Sequence, residues 1–461
     1  MRAERFLGFP PGFLWGVGTS AYQVEGNCIN TQWSEFEKSG GIKSGERSGA
    51  ACGWWNDAEQ DFDLAQSMGL NSLRLSVNWA RIEPEDGVFN PLAIERYRRM
   101  LNGLIARKIR PMVCLHHFAH PLWFEQKGGF LSPTCSEDFI RFTRFVVAEL
   151  GDLCSDWVTI NEPNVYAMEG YLTGDHPPAR AGRLAEYFRV LRNMALCHGK
   201  AYHLIHNLQK QSRVSFANHF IIFTSAREQI FDRLAARMAS DTFNNIFINL
   251  ITGKKGIPFV RMDGNLKEVR DTWDFVGVNI YGGADVAFDL TQPQMGFVRR
   301  IDPVNCRTGD LDQQGNAMFG EIYPQGIEIV VKKLAHLGKP FFILENGVPD
   351  RADTIRPWVI ATAVKTMHKL IRQGYEILGY HHWTLVDNFE WAHGYSQRFG
   401  LVELDPITQE RKPRPSAGFY SEIVKANGLD EAMVRQYVPT AFEEIFPAVN
   451  SNPVPDLPTL A

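Results

Sequence analysis

A chain of 461 residues, 44% of them hydrophobic, holds ample material for a large buried core, and its length fits two or three ordinary domains or one extended α/β barrel. Its net charge of −4 comes without a basic stripe or a block of like charge, which excludes an electrostatic claim on nucleic acid or an anionic membrane surface. No run approaches the ~20 apolar residues of a membrane span, and Gly8, Pro10, Pro11 and Gly12 interrupt the only apolar stretch placed where a signal peptide would be. The seven cysteines are scattered and form no Cys-x-x-Cys pair, so they read as reduced, mostly core thiols of a cytoplasmic protein.

Eight short runs rich in Val, Ile, Leu, Phe or Trp have the composition of strands buried on both faces: 13–19, 72–79, 111–118, 157–162, 214–219, 275–281, 341–345 and 377–383. Helical patterns fall between them. One at 58–68 stops at Gly69, and one at 92–108 sets Ile94, Tyr97, Leu101, Leu104 and Ile105 on one face. Another at 327–337 stops at Gly338, and one at 358–372 stops just before Gly374. Strand alternating with helix eight times predicts a single α/β domain, a (β/α)8 TIM barrel over 1–449, followed by a loose Pro-rich tail over 450–461. No G-x-G-x-x-G follows a strand, as an open nucleotide-binding sheet would require. Long βα stretches at 23–57, 166–182 and 285–323 are expected to wall a cleft on the catalytic face.

Polar residues gather at the C-terminal end of each run. They are Gln23 and Glu25; Arg74 and Asn78; His116 and His117; Asn161 and Glu162; Asn218 and His219; Asn279 and Tyr281; Glu345 and Asn346; and Trp383. Carboxylates and amides match sugar hydroxyls as donors and acceptors, and an indole face covers the C–H face of a pyranose. Two glutamates at the C-terminal ends of strands on opposite sides of the barrel, Glu162 and Glu345, supply the two carboxyl groups that glycoside cleavage needs. Two other readings stand beside that one at this level. Both glutamates could make structural ion pairs, for example with Arg74, or Glu and His could build a hydrolytic metal site, although no His-x-His or His-Glu-x-x-His occurs.

Seven motifs in order add a resemblance that covers roughly residues 9–446. They are Phe13-Leu14-Trp15-Gly16 with Ala21-Tyr22-Gln23-Val24-Glu25-Gly26; Leu73-Arg74-Leu75-Ser76 with Trp79-Ala80-Arg81-Ile82; Thr-Ile-Asn-Glu-Pro-Asn at 159–164; the strand at 274–281; Ile322-Tyr323-Pro324; Ile-Leu-Glu-Asn-Gly at 343–347; and 383–391. In these the chain resembles glycoside hydrolase family 1, the β-glucosidase family. The resemblance implies a retaining β-glycosidase in which Glu162 is the acid/base and Glu345 the nucleophile. Arg74, Tyr281 and Asn279 would support the nucleophile. Gln23, His117, Asn161, Glu390, Trp391 and Phe399 would bind the sugar, with Trp383 as its floor. It implies no cofactor and no metal, small β-glycosides as partners, and leaves a homo-oligomer open.

Departures from the family pattern are Phe118 where Trp is usual, Leu344 where Thr is common, Ile280 within the Asn-Tyr-Tyr pattern, and a shorter 23–55 loop. Glu162 is intact, unlike the Gln of thioglucosidases. Glu390 and Trp391 stand where 6-phospho-β-glycosidases carry Ser and Lys, so unphosphorylated glucosides are expected, with galactosides and fucosides as further candidates. A transglycosidase and a non-catalytic sugar-binding protein are the competing readings. Trp79, Trp157 and Trp273 read as core, and His219, His381 and His382 as structural histidines. Trp54, Trp55 and Phe319 are candidates for the leaving-group wall by loop position alone.

Overall fold

The eight apolar runs close into one sheet. The computed structural model describes residues 5–254, 267–301 and 306–447; the tail expected from residue 450 lies outside the described residues. The barrel strands are β1 (Leu14–Gly18), β2 (Ser72–Ser76), β3 (Arg110–His116), β4 (Asp156–Asn161), β5 (Arg213–Ser225), β6 (Val276–Phe288), β7 (Phe341–Asn346) and β8 (Ile377–His382). They pair in parallel in the order 5-4-3-2-1-8-7-6, and pairing of β5 with β6 closes the ring.

Met112, Cys114, Val158, Ala217, Phe275, Phe342 and Leu344 come from strands on different sides of the ring yet pack into one cluster, which therefore fills the barrel interior. A much larger core lies between strands and helices and takes in Trp79, Trp157 and Trp273, each 1% exposed or less. Helix Pro91–Ala106 shows how the sequence builds that layer. The side chain of Asn90 accepts from the backbone N–H groups of Leu92 (3.0 Å) and Ala93 (3.4 Å), Pro91 opens the first turn, and Ile94, Tyr97, Leu101 and Leu104 are buried. Ile105, expected on the same face, is 44% exposed, because one residue past Leu104 turns it about 100° toward solvent.

The stretch 285–323, expected as loop, is sheet in its first part. β5 and β6 each run 13 residues and stay paired as far as Ser225 and Val286, after a register shift between Phe220 and Ile222. Val298–Ile301 then adds antiparallel to β6. Gly282 allows close approach of the neighbouring chain: a Cβ there would sit 2.3 Å from the carbonyl oxygen of Glu321. The extended pair rises above the barrel mouth as a wall.

Candidate active site

Arg74, Asn161, Asn279 and Glu345 form a polar layer above the apolar plug. Glu345, on β7, is 3% exposed. Its Oε1 is ion-paired with Nη2 of Arg74, and its Oε2 accepts from the Tyr281 hydroxyl at 2.5 Å. Nη1 of Arg74 donates to Oδ1 of Asn161 (3.1 Å), so one guanidinium ties β2 to both β4 and β7. Burial pushes the Glu345 carboxyl above the ordinary carboxylate range; Arg74 opposes this and the facing charge of Glu162 reinforces it. Burial and Glu345 push the Tyr281 phenol well up, so it stays a proton donor.

Glu162 follows β4 directly and has left-handed backbone angles (φ 45°, ψ 60°). Such angles cost a residue with a Cβ about 1–3 kcal/mol. Pro163, the first residue of helix Pro163–Met168, disfavours the right-handed region for the residue before it. Nδ2 of Asn164 anchors the turn by donating to the carbonyl of His219 at 2.8 Å. The Glu162 Oε1 atom accepts from Asn279 Nδ2 (2.8 Å) and meets His219 Nδ1 at 2.9 Å. Asn279 is the strand partner of Glu345, beside which the resemblance placed it, but its amide turns away and serves Glu162 and Asn161 instead.

His117 lies between two indoles, 5.9 Å from Trp383 and 5.7 Å from Trp391, both near parallel to its ring. Burial and the Arg74 charge hold its pKa well below the usual range, so the ring is neutral. Its Nε2 accepts from Asn161 Nδ2 (3.1 Å), which puts the ring proton on Nδ1, a buried atom without a partner among the described residues. Its neighbour His116 faces elsewhere, against His120, Phe130 and Tyr166. Gln23 donates to Asn388 and to Glu390, both at 3.0 Å. Burial, with Glu345 and Glu162 nearby, pushes the Glu390 carboxyl up to about 8. A carboxyl raised this far carries less negative charge near neutral pH than the carboxylate the sequence implied.

A cavity of about 580 Å³ opens over this layer. His117, Glu162, Tyr281, Glu345, Trp383, Glu390 and Trp391 line it. Gln23 and Asn161 lie behind the lining, fully buried, and Phe399 packs on Tyr281 (5.6 Å) and Phe319 (4.8 Å). Phe118 and Phe319 also line the cavity. Trp54 and Trp55 do not: Trp54 is buried against Phe62, and Arg81 covers the ring of Trp55 at 4.0 Å. Glu25 is structural, ion-paired with Arg81 at 2.8 Å. Nε2 of His381 meets Ser72 Oγ at 2.9 Å, and burial keeps His382 neutral. His219 is the site residue that sequence reasoning set aside as structural. Its signal was its place one residue beyond Asn218 at the end of the predicted fifth strand. Among the described residues no group of three or more His, Cys, Asp or Glu is placed to hold a metal ion.

A closed (β/α)8 barrel whose mouth joins two buried glutamates, amides, a neutral histidine and two indoles is built for sugar hydrolysis. The family model described as glycosyl hydrolase family 1 matches residues 7–429, and the chain belongs to that family. It is 32% identical to beta-glucosidase A of Thermotoga maritima, over 92% of this chain and 99% of that protein. Among solved structures, the beta-glycosidase from Pyrococcus horikoshii superposes with a TM-score of 0.84 at 34% identity, over 94% of this chain and 98% of that one. The Thermotoga maritima beta-glucosidase in complex with glucoimidazole gives 0.84 at 30% identity, over 92% of this chain and 100% of that one.

Proposed function

We propose that the protein is a retaining β-glucosidase that removes terminal β-glucosyl residues by double displacement, with Glu345 as nucleophile and Glu162 as acid and then base. One observation carries this reading. Glu345 is held by a cation and a phenol, the partners of an ionised carboxylate, while Glu162 is held by an amide and an imidazole, with no arginine or lysine among the described residues against it.

In the first step Glu345 Oε attacks the anomeric carbon as Glu162 gives its proton to the leaving oxygen. The glycosidic C–O bond breaks and an ester to Glu345 forms. Esterification removes one of two facing negative charges, after which Glu162 takes a proton from water as that water opens the ester. Asn161, held by Arg74, His117 and Asn279, lies behind the lining, and the reading assigns it the sugar's 2-OH, with the Nδ1 proton of His117 as a further donor. Trp383 is the floor, with the Arg74 guanidinium 5.8 Å from its ring. The glucosidase names of the relatives support glucose as the sugar. The described cysteines are all unpaired, and six of the seven are buried, which fits the cytoplasm; no helix among the described residues is long and apolar enough to cross a membrane.

Kinetics on aryl β-glucoside, galactoside, fucoside and 6-phosphoglucoside, with the α-glucoside as control, test the reading. Turnover of the β-glucoside, with β-glucose as first product by NMR, is expected. α-Glucose as first product would replace retention by inversion, and no turnover by a folded protein would leave a sugar-binding protein.

A further inference from the structure

Helix Ile230–Ala239, outside the barrel beside the β5–β6 wall, carries its large apolar side chains on its outer side. Its buried residues are Asp232, Ala235, Ala236 and Ala239, whereas Ile230 is 62%, Phe231 58% and Leu234 54% exposed. A surface helix ordinarily turns its apolar stripe to the core. The hairpin that joins β6 to Val298–Ile301 repeats the pattern, with Leu290 73% exposed and Phe297 also open to solvent. Phe288 links the two elements, 5.5 Å from Phe231 and 6.0 Å from Phe297 between ring centres. The apolar patch is therefore contiguous, and contiguous patches mark interaction surfaces where scattered apolar residues do not.

The patch is fastened from below. The buried Asp232 carboxylate accepts from Arg227 Nε (2.6 Å), Arg227 Nη2 (2.9 Å) and the backbone N–H of Phe288 (2.9 Å), which ties helix to hairpin. A preformed surface loses little entropy on association. The rim shows what covers it. Arg227, Arg233 and Arg237 alternate with Glu228 and Asp241, and their pairing within the chain is loose, 3.7 Å for Arg233 with Glu228 and 4.0 Å for Arg237 with Asp241. An anionic membrane calls for one sign of charge, whereas a second copy of the chain supplies both. Laid antiparallel on its own copy about Leu234, the helix sets Arg227 opposite Asp241, and two-fold symmetry makes that contact twice. Nη1 of Arg227, the nitrogen that Asp232 leaves unused, is available for it. Aromatic residues and arginine are the types enriched at such contacts.

We propose that this face is the interface of a symmetric homodimer, with helix Ile230–Ala239 antiparallel to its copy, Leu234 on the two-fold axis and the 288–299 hairpin closing the contact on either side. The helix and the hairpin together offer the extent that a stable interface takes, about 20–30 residues on each subunit. The proposal is independent of the reaction assigned above.

The test is sedimentation velocity of the full chain over a dilution series. A dimer with a Kd of about 1 μM or tighter is expected, as interfaces of this size give. The Tm should also rise with protein concentration, because only the folded chain associates. Leu234→Asp sets two carboxylates on the axis and should raise the Kd at least a hundredfold and remove the concentration dependence of Tm. Asp241→Arg, at the rim, sets arginine against arginine and should raise the Kd at least tenfold. Ile407→Asp, at an exposed apolar residue between the strands Val402–Leu404 and Arg411–Pro413, should leave the dimer as it is. Unaltered circular dichroism shows that each variant is folded. A parent that stays monomeric up to about 100 μM, or a dimer indifferent to Leu234→Asp or to Asp241→Arg, overturns the proposal. So does a monomer that co-sediments with phosphatidylserine vesicles and loses them in Leu234→Asp, which would give the patch to a membrane.

Discussion

Nδ1 of His219 lies 2.9 Å from Oε1 of Glu162, so the proton donor of the proposed reaction shares a hydrogen bond with a second titratable group. Burial works against the imidazolium, yet Glu162, with Glu345 and Glu169 further off, raises the pKa of His219 above its ordinary value.

The alkaline limb of the kcat/KM profile is therefore expected to carry the titration of His219, whose proton the hydrogen bond to Glu162 retains. His219→Asn keeps a polar side chain at the position and removes the shared proton. It should move that limb to lower pH, because the imidazole that holds the proton is gone. A pH profile of the variant that superposes on the parent would show His219 to be merely structural.

At the other end of the profile, Glu345 must be ionised to attack. Burial raises its carboxyl, so the attacking form is lost at a higher pH than for an ordinary glutamate, about 4.3. Arg74 restrains that rise. Arg74→Met should push the acid limb further up. It should also destabilise the fold by about 3–5 kcal/mol, because it leaves a buried carboxylate unpaired. Denaturant titration at pH 7 and a pH–rate profile read the two effects separately. An unmoved acid limb would mean that another group controls it.

Removing either glutamate distinguishes their roles. Glu345→Gly should lower turnover on the order of 10⁶-fold, as loss of a nucleophile does elsewhere, and azide or formate should restore part of it by entering the vacated space. Glu162→Ala should cost about 10²–10⁴-fold on alkyl glucosides, whose leaving group needs a proton. It should cost far less on dinitrophenyl glucoside, whose leaving group does not. Equal losses on both substrates would take the proton donor's role from Glu162.

The strand ends are legible in the sequence because strands buried on both faces read as continuous apolar runs, so the first polar residue after each run marks the barrel mouth. That alone places Glu162 and Glu345 near one another, whereas Arg74 lies inside its strand and is marked only as a charge within an apolar run. Side-chain direction is not legible. Asn279 is the strand partner of Glu345, and only the rotation of its amide sends it to Glu162. The upper wall escapes as well: the stretch 285–323 has no continuous apolar run to mark it as sheet, yet strand pairing continues to Phe288 and returns at Val298–Ile301. Trp54 and Trp55 show the opposite error, since loop position puts them in the cleft and packing on Phe62 and under Arg81 holds them out of it.

Glu390 links the sugar site to stability. Its carboxyl rises from 4.5 to about 8 on folding, burial being the largest cause. The folded state then holds a proton that the unfolded chain gives up, so stability is greatest below pH 4.5 as far as this group is concerned. That contribution is lost as pH rises toward 8. It amounts to a few kcal/mol, because a tenfold difference in proton affinity between the folded and unfolded chain is worth about 1.4 kcal/mol. Glu390→Gln keeps a neutral group of the same shape against Gln23 and removes the titration. The variant should gain stability over the parent at pH 8 and differ little at pH 5, as read by denaturant midpoints at the two values. A constant difference between the two proteins across that range would mean that Glu390 is ionised in the folded site. A carboxylate at this position would then stand against a phosphorylated sugar, as the sequence implied.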